Sequence, residues 1–302
     1  MAAVNGVKRK RRRGSVQLFN FAQGSYLERT SRPVYAVVFL IPFILCYEVG
    51  TILINTDLLN RSQIRVVAFV WLQNLLEKLG FGGKFIWAMP PLAVIIILLS
   101  LQFVSRKSWK CKLSDIWRMA IESIVLALPL ILLSMLIMAA ARSNNAEVTV
   151  SANQSDVQQF VSLSKGPNCE NAISLQSYTD VQNNSYLKSN ILANIITGIG
   201  AGIYEELVFR LILISVFMLI FYDLIGLEHN NAIILSILVS AALFSAHHHV
   251  TENFNLTKFI FRTIAGVYFA IIFSIRGFGI TAGAHAFYDI IVVFLNVYLG
   301  VR

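Results

Sequence analysis

The chain has 302 residues, of which 56% are hydrophobic and only 14% carry a charged side chain. A soluble domain has about 25% charged residues, so this composition excludes an ordinary soluble protein. The net charge of +9 is concentrated in two short basic segments, Lys8–Arg13 and Arg106–Arg118. Beside long apolar runs, such segments are typical of the cytoplasmic flanks of membrane helices, and they do not indicate a nucleic-acid partner.

Long apolar runs without alternation predict an all-α, polytopic membrane protein, because only helices and closed barrels satisfy the backbone in lipid. Each run approaches the roughly 20 residues that a bilayer requires. The predicted spans, in chain order, are Val34–Ile54, Phe85–Val104, Ile116–Ala141, Ile191–Tyr222, Ala232–His248, Phe259–Ile275 and Ile280–Val297.

The segment Ile64–Leu79 is ambiguous because charged and amide side chains interrupt its apolar residues. It lies in the interface or forms a buried eighth helix, so the sequence predicts seven or eight transmembrane helices. Seven crossings place both basic segments on one side of the membrane, which the positive-inside rule favours, whereas eight place them on opposite sides. With seven crossings, the polar segment after the third span lies on the non-cytoplasmic side.

These features divide the chain into four parts. We expect a basic cytoplasmic tail at 1–33, the amino-terminal membrane helices at 34–141, a polar loop at 142–189 and the candidate chemistry at 190–302. The protein is expected to be a multi-pass membrane protein surrounded by lipid, in the plasma membrane if its source is bacterial. Its three cysteines have no spacing typical of a disulfide framework or a zinc ribbon.

The first of three motifs is Glu205-Glu206-Leu-Val-Phe-Arg210, inside an apolar run where charge is costly and usually functional. Glu206 and Arg210 are four residues apart, so they share a helical face and can neutralise each other. Glu205 lies about 100° further round the helix and can point to another site. Just before the motif, Gly198 and Gly202 predict the close approach of a partner helix. Alone, the motif is equally consistent with a buried charge network without a catalytic role.

The second motif is Phe244-x-x-x-His248, and the third is His285-x-x-x-Asp289. In each motif the spacing of four places both side chains on one face of a helix. Taken singly, a histidine at a helix end is typical of a membrane interface, and a histidine–carboxylate pair can simply fix a tautomer. Together, the three motifs indicate acid–base groups that converge on one site from separate helices.

On these residues and in this order, the sequence resembles the CAAX prenyl protease and bacteriocin-processing family of membrane peptidases. The family is marked by EExxxR, FxxxH and HxxxN/D, and the resemblance covers about Ile191 to Val297. It implies that 190–302 is a protease core and that the protein hydrolyses peptide bonds of membrane-associated or hydrophobic peptide or protein substrates. The prenyl proteases carry Asn where this chain has Asp289, which fits the bacterial branch of the family.

The resemblance also implies which residues act. The catalytic residues are Glu205, His248, His285 and Asp289, and the supporting residues are Glu206, Arg210 and Phe244. Glu205 is expected to activate water with help from His248. His285 and Asp289 are expected to stabilise the oxyanion, where each donor contributes about 10²–10³ in rate.

Three alternatives stay open. No HExxH pair is present and no cofactor is expected, but Glu205, His248 and His285, with Asp289 as a further candidate, could instead bind zinc in a metallopeptidase. The same fold could serve as a non-enzymatic scaffold or immunity protein. Buried Glu and His side chains also form proton relays in transporters, although this chain lacks the internal repeats of a transporter. The sequence does not determine the substrate.

Overall fold

The computed structural model describes residues 21–56, 66–81, 83, 86–150, 191–248 and 254–298. All regular structure in these residues is helical. The helices are α1 (Tyr26–Thr30), α2 (Pro33–Thr56), α3 (Val67–Lys78), α4 (Met89–Ser105), α5 (Leu113–Val150), α6 (Ile191–Leu224), α7 (His229–His248), α8 (Leu256–Arg276) and α9 (Phe278–Tyr298). A short 3₁₀ turn, Ile86–Ala88, precedes α4.

Seven of these helices, α2 and α4 to α9, are long and apolar enough to cross a membrane. The chain is therefore an all-α, multi-pass integral membrane protein, as its composition predicts, with seven spans in the described residues. The segment Ile64–Leu79 is not among the seven spans found in the described residues. α3 has only 12 residues, which at 1.5 Å per residue gives about 18 Å, too short for a bilayer.

The helix ends define two faces of the bundle. We call one of them the first face: α2, α5 and α9 begin there, and α4 and α8 end there. Contacts join these ends: the guanidinium of Arg32 donates to the carbonyl of Ser108 at 3.4 Å, and the Tyr35 hydroxyl accepts from the Lys112 amide at 3.1 Å. The opposite ends, including the end of α7 and the start of α8, form the second face.

Two boundaries differ from those predicted. α5 continues past its expected end at Ala141 to Val150, because an established helix gains one hydrogen bond for each further residue, polar residues included. The predicted polar loop therefore begins as helix, and its part from 151 to 189 lies outside the described residues. The predicted tail contains α1, which is capped by the Ser25 hydroxyl, while residues 1–20 lie outside the described part.

Two further glutamates occupy apolar runs, and the sequence assigns them no role. Glu122 accepts hydrogen bonds from Arg276 Nη2 at 2.8 Å and from the Tyr26 hydroxyl at 2.7 Å. These bonds join α1, α5 and α8 at the first face. Glu48 of α2 accepts a hydrogen bond from the Tyr204 hydroxyl of α6 at 3.2 Å.

α9 lies inside the bundle and packs against α2, α5, α6 and α8. Each residue from Phe278 to Ala286 is buried. Small side chains make this packing close: a Cβ atom added at Gly279 would lie 2.9 Å from Cα of Ala36, and one added at Gly283 would lie 2.6 Å from the Phe39 ring. The first half of α9 is thus enclosed by other helices.

Candidate active site

α6 carries the first motif at a point where its backbone hydrogen bonding changes. The helix is α-helical up to Glu206 and π-helical from Leu207 to Ile214. Such wider turns are rare and often occur at functional sites. Glu206 Oε2 lies 3.2 Å from Nε of Arg210, and both side chains are fully buried. The expected pairing across four residues is therefore present despite the wider turn.

Two glycines of α6 allow α9 to approach closely. A Cβ atom added at Gly202 would lie 2.6 Å from the backbone nitrogen of Ala286, and one added at Gly198 would lie 2.6 Å from Cβ of Asp289. Neither distance is compatible with van der Waals contact, so any side chain at these positions requires α9 to move. The close contact brings the glutamate turn of α6 beside the third motif.

Glu206 has a second partner that its sequence motif does not reveal. Its Oε1 is hydrogen-bonded to Nδ1 of His285 at 2.8 Å. Asp289 is the expected partner of that histidine. Its Oδ2 lies 3.7 Å from the other ring nitrogen of His285, Nε2. The Phe269 ring stacks on the imidazole at a centroid distance of 4.6 Å and an interplanar angle of 16°. Glu206 and Phe269 together fix the ring of His285.

His248 lies at the end of α7 and faces Glu205. Its Nδ1 is 3.2 Å from the carbonyl oxygen of Phe244, and because a carbonyl only accepts, Nδ1 carries the proton of this hydrogen bond. The other nitrogen, Nε2, lies 4.0 Å from Oε2 of Glu205. The Phe244 ring is 4.4 Å from the guanidinium carbon of Arg210 and 5.1 Å from the His248 ring. Phe244 thus contacts the buried charge pair as well as the histidine.

One cavity of about 520 Å³ collects the four residues to which the resemblance assigns catalytic roles, Glu205, His248, His285 and Asp289. This volume lies within the range typical of ligand sites. The side chains of Glu205 and His285 are 8% and 7% exposed, whereas those of His248 and Asp289 are 23% and 26% exposed. The first two lie at the buried floor, and the other two are more open.

Of the three supporting residues, one lines the cavity and two do not. Phe244 lines the cavity, whereas Glu206 and Arg210 do not and lie behind its wall. The structure thus brings all seven residues of the three motifs into one region, but only five of them can touch a molecule in the cavity.

Among the lining residues that the sequence analysis missed are Lys258, Arg262 and Phe269 of α8. Arg262 lies inside the predicted span Phe259–Ile275, so the criterion that identified Glu205, a charge within an apolar run, would also have identified it. Phe269 gives no such signal, because an aromatic residue in a membrane helix is ordinary.

The arrangement of donor atoms does not fit a zinc site. Within the described residues, no three His, Cys, Asp or Glu side chains are grouped closely enough to hold a metal ion. The zinc alternative with Glu205, His248 and His285 as ligands is therefore not supported by this geometry.

Comparison with known proteins gives a match to a family model. Residues 187–291 match the family model described as type II CAAX prenyl endopeptidase Rce1-like. No match was found among curated proteins or solved structures. The matched region contains all three motifs and the residues that line the floor of the cavity. The resemblance predicted from those motifs is confirmed, and over residues 187–291 the chain is similar to the type II CAAX prenyl endopeptidases, a family of membrane proteases.

Proposed function

We propose that this chain is a membrane-embedded endopeptidase in which Glu205 activates water for the hydrolysis of a peptide bond. The observation that carries the proposal is the convergence of Glu205, His248, His285 and Asp289 on one cavity inside the bundle. The family match supports a peptidase that acts at the membrane.

The attacking water is held between Glu205 and His248. Their facing atoms, Oε2 and Nε2, are 4.0 Å apart, so one water molecule in the cavity can hydrogen-bond to both. With its proton on Nδ1, the histidine presents the Nε2 lone pair to that water and orients it. Glu205 accepts a proton as the water oxygen attacks the carbonyl carbon of the substrate.

The oxyanion that forms is stabilised from α9. In its doubly protonated form, His285 donates from Nδ1 to Glu206 and from Nε2 to the oxyanion, beside Asp289. A fixed donor of this kind is worth about 10²–10³ in rate. When the carbon–nitrogen bond breaks, the proton held by Glu205 passes to the leaving amine. The products are a carboxylate and an amine, and no other reactant is consumed.

Glu206, Arg210 and Phe244 act as positioning residues in this proposal. Glu206 orients His285, and Arg210 balances the charge of Glu206 where both side chains are fully buried. Phe244 packs against Arg210 and provides the carbonyl that fixes the tautomer of His248. Every proton transfer uses side chains of this chain, so we propose no cofactor.

A transporter would need a path through the bundle. The cavity is lined by residues of α6 to α9, and none of its described lining residues lies at the first-face ends of these helices. This one-sided opening supports a reaction chamber rather than a proton relay that connects the two faces.

The proposal is tested with the purified protein in liposomes and a mixture of hydrophobic peptides, with products identified by mass spectrometry. A matched pair of peptides, one farnesylated near its carboxyl end and one unmodified, is included to compare prenylated and plain substrates. We expect cleavage by the wild type and none by Glu205→Gln, because glutamine keeps the shape but cannot accept the proton.

The control is Glu77→Gln, a change at an exposed position of α3 outside the cavity, which should leave cleavage unchanged. Full cleavage by a well-folded Glu205→Gln protein would reject the mechanism. Absence of any cleavage by the wild type would favour a non-enzymatic scaffold.

A further inference from the structure

We propose that the short helix α3 holds Glu205 and His248 at their working distance, with Phe69 and Trp71 as its positioning residues. The proposal rests on the proposed function, in which the carboxylate and the imidazole hold the attacking water between them. Neither Phe69 nor Trp71 lines the cavity. Each contacts the residue that precedes one of the two catalytic side chains, so α3 acts on the site from behind its wall.

α3 lies at the end of the bundle where the cavity is. It follows α2, which ends at the second face, precedes α4, which begins there, and packs against α4. The cavity is lined by the parts of its helices next to the same face, namely the first half of α6, the last turns of α7, the first half of α8 and the second half of α9. The helix is therefore placed to contact the end of α7 and the glutamate turn of α6.

Trp71 contacts the end of α7 through His247. The centroids of the two rings are 4.3 Å apart, and the rings meet edge-on at an interplanar angle of 67°. The Phe209 ring of α6 lies 5.4 Å from the same imidazole, and His247 is only 6% exposed. Its Nδ1 atom is buried and has no hydrogen-bond partner among the described residues. The ring is therefore held by packing between α3 and α6, and it fixes the last turn of α7, which carries His248.

Phe69 contacts α6 through Tyr204, the residue before Glu205. Their rings meet edge-on, with centroids 4.9 Å apart and an interplanar angle of 89°, and both residues are fully buried. The Tyr47 ring of α2 lies 5.9 Å from the Phe69 ring, and the Tyr204 hydroxyl donates to Glu48 at 3.2 Å. Tyr204 is thus fixed by α2 and α3 together.

The two contacts have the same relation to the catalytic residues. Adjacent residues on a helix point about 100° apart, so His247 and Tyr204 face α3 while His248 and Glu205 face the cavity. A shift of either ring moves the backbone of the catalytic residue next to it. The facing atoms of Glu205 and His248 are 4.0 Å apart, and in the proposed mechanism one water bridges them. Misplacement of a reacting group by about 1 Å can cost roughly 10²-fold in rate.

The simpler role for Trp71 is that of an interface anchor. Its side chain is 44% exposed, and tryptophan is common at the level of the lipid headgroups. Anchoring needs only the exposed part of the ring, so its loss would leave the turnover of the folded protein unchanged. The contact with the buried His247 is the observation that favours positioning, and the kinetics of one variant separate the two roles.

The decisive variant is Trp71→Leu, assayed in liposomes with a peptide that the wild type cleaves. We expect kcat per folded molecule to fall by roughly 10- to 100-fold. KM should stay within about twofold, because the ring acts on the geometry of the reaction and touches no substrate. Trp71→Phe keeps an aromatic ring and should restore most of kcat. The matched control is Trp87→Leu, at a position that is 45% exposed and contacts no ring of the site among the described residues, and it should behave as the wild type.

Two kinetic results would overturn the proposal. A wild-type kcat in Trp71→Leu would leave Trp71 as an interface anchor, and a raised KM with unchanged kcat would make it a substrate-binding residue. The route through His247 is tested with His247→Leu and His247→Phe. We expect phenylalanine, which keeps a ring, to retain more activity than leucine, and Trp71→Leu to cause no further loss in the His247→Leu protein. Equal losses in the two His247 variants would contradict this route.

Hydrogen–deuterium exchange measured by mass spectrometry separates this inference from the proposed function, because it needs no enzymatic activity. We expect the amides of Ser245–His248, at the end of α7, to exchange faster in Trp71→Leu than in the wild type, and Trp87→Leu to show no difference there. Unchanged exchange in Trp71→Leu would refute the role of α3, whatever the kinetics, and leave the peptidase intact. The expected exchange without cleavage by the wild type would refute the peptidase and leave the contact between α3 and α7 intact.

Discussion

At the scale of single residues, the neighbours Glu205 and Glu206 have different roles. Glu205 reaches the cavity, whereas Glu206 is turned into the bundle and contacts both Arg210 and His285. Neighbours on a helix differ by about 100° in direction, so two identical side chains meet different surroundings. One can exchange a proton with water while the other keeps a fixed geometry behind it.

We predict that Glu206→Gln lowers both stability and activity. The amide leaves Arg210 buried without its opposite charge, which costs roughly 3–5 kcal/mol of the free energy of unfolding. It also weakens the hydrogen bond that fixes His285, so the cleavage rate per folded molecule should fall. Thermal unfolding in detergent and cleavage assays on the folded fraction measure the two effects, with Glu77→Gln as the control. Wild-type stability in this variant would contradict the role of the buried pair.

Asp289→Asn separates the glutamate mechanism from the zinc alternative. In the glutamate mechanism, asparagine is nearly isosteric and supplies a permanent N–H donor beside His285, so we expect measurable activity. In the zinc mechanism a carboxylate ligand is lost, and an amide oxygen is a much poorer partner for zinc. Metal analysis of the wild type and the variant is compared with their activity. One zinc per active wild-type chain, lost together with activity in the variant, would replace the mechanism proposed here.

At the scale of helices, the contact between α6 and α9 determines the distance between the glutamates and His285. We predict that Gly202→Ala destabilises the protein by about 1–3 kcal/mol, the usual cost of overpacking. Its new Cβ atom would lie 2.6 Å from a backbone nitrogen of α9, which cannot rotate away. The helices must separate, so the rate of cleavage should fall as well.

The matched control for this prediction is Gly266→Ala, at the contact of α8 with α7. There the added Cβ atom would lie 3.1 Å from the Cβ atom of Ala241, a milder approach. Thermal unfolding and cleavage are measured for both variants. Equal effects of the two substitutions would show that the α6–α9 contact has no special role.

At the scale of the whole molecule, Arg276 ties the amino-terminal part of the chain to the helices of the site. Its guanidinium donates to Glu122, to the Thr30 hydroxyl at 2.8 Å and to the Leu27 carbonyl at 3.1 Å. Residues far apart in the sequence are thereby joined at the first face, next to the start of α9.

We predict that Arg276→Met reduces the free energy of unfolding by about 1.5–3 kcal/mol, the contribution of hydrogen bonds to a charged group. The methionine retains much of the apolar volume but leaves Glu122 with the Tyr26 hydroxyl as its hydrogen-bonding partner at that site. Lys110→Met, at an exposed position of the same face, serves as the control and should change stability by less than about 0.5 kcal/mol. Equal stability of the two variants would contradict a structural role for Arg276.

Much of the fold was predictable because membrane insertion depends on local features of the sequence. The length of each apolar run determines whether a helix can span, and the bias of lysine and arginine favoured seven crossings over eight. The length of α3 agrees with that preference. The helix α5 continues beyond the predicted end of its membrane span, since hydrophobicity marks where lipid ends and a helix can extend past that point.

The sequence by itself determined that the protein is helical and membrane-embedded, and which charged residues in its apolar runs stand out. These properties depend on composition and on spacings within single helices. Only the tertiary structure decided that Glu206 fixes His285, that Phe269 stacks on that ring and that the cavity opens at the second face. These contacts join helices distant in the chain, and they depend on how each helix is rotated and how closely glycine allows its neighbour to approach.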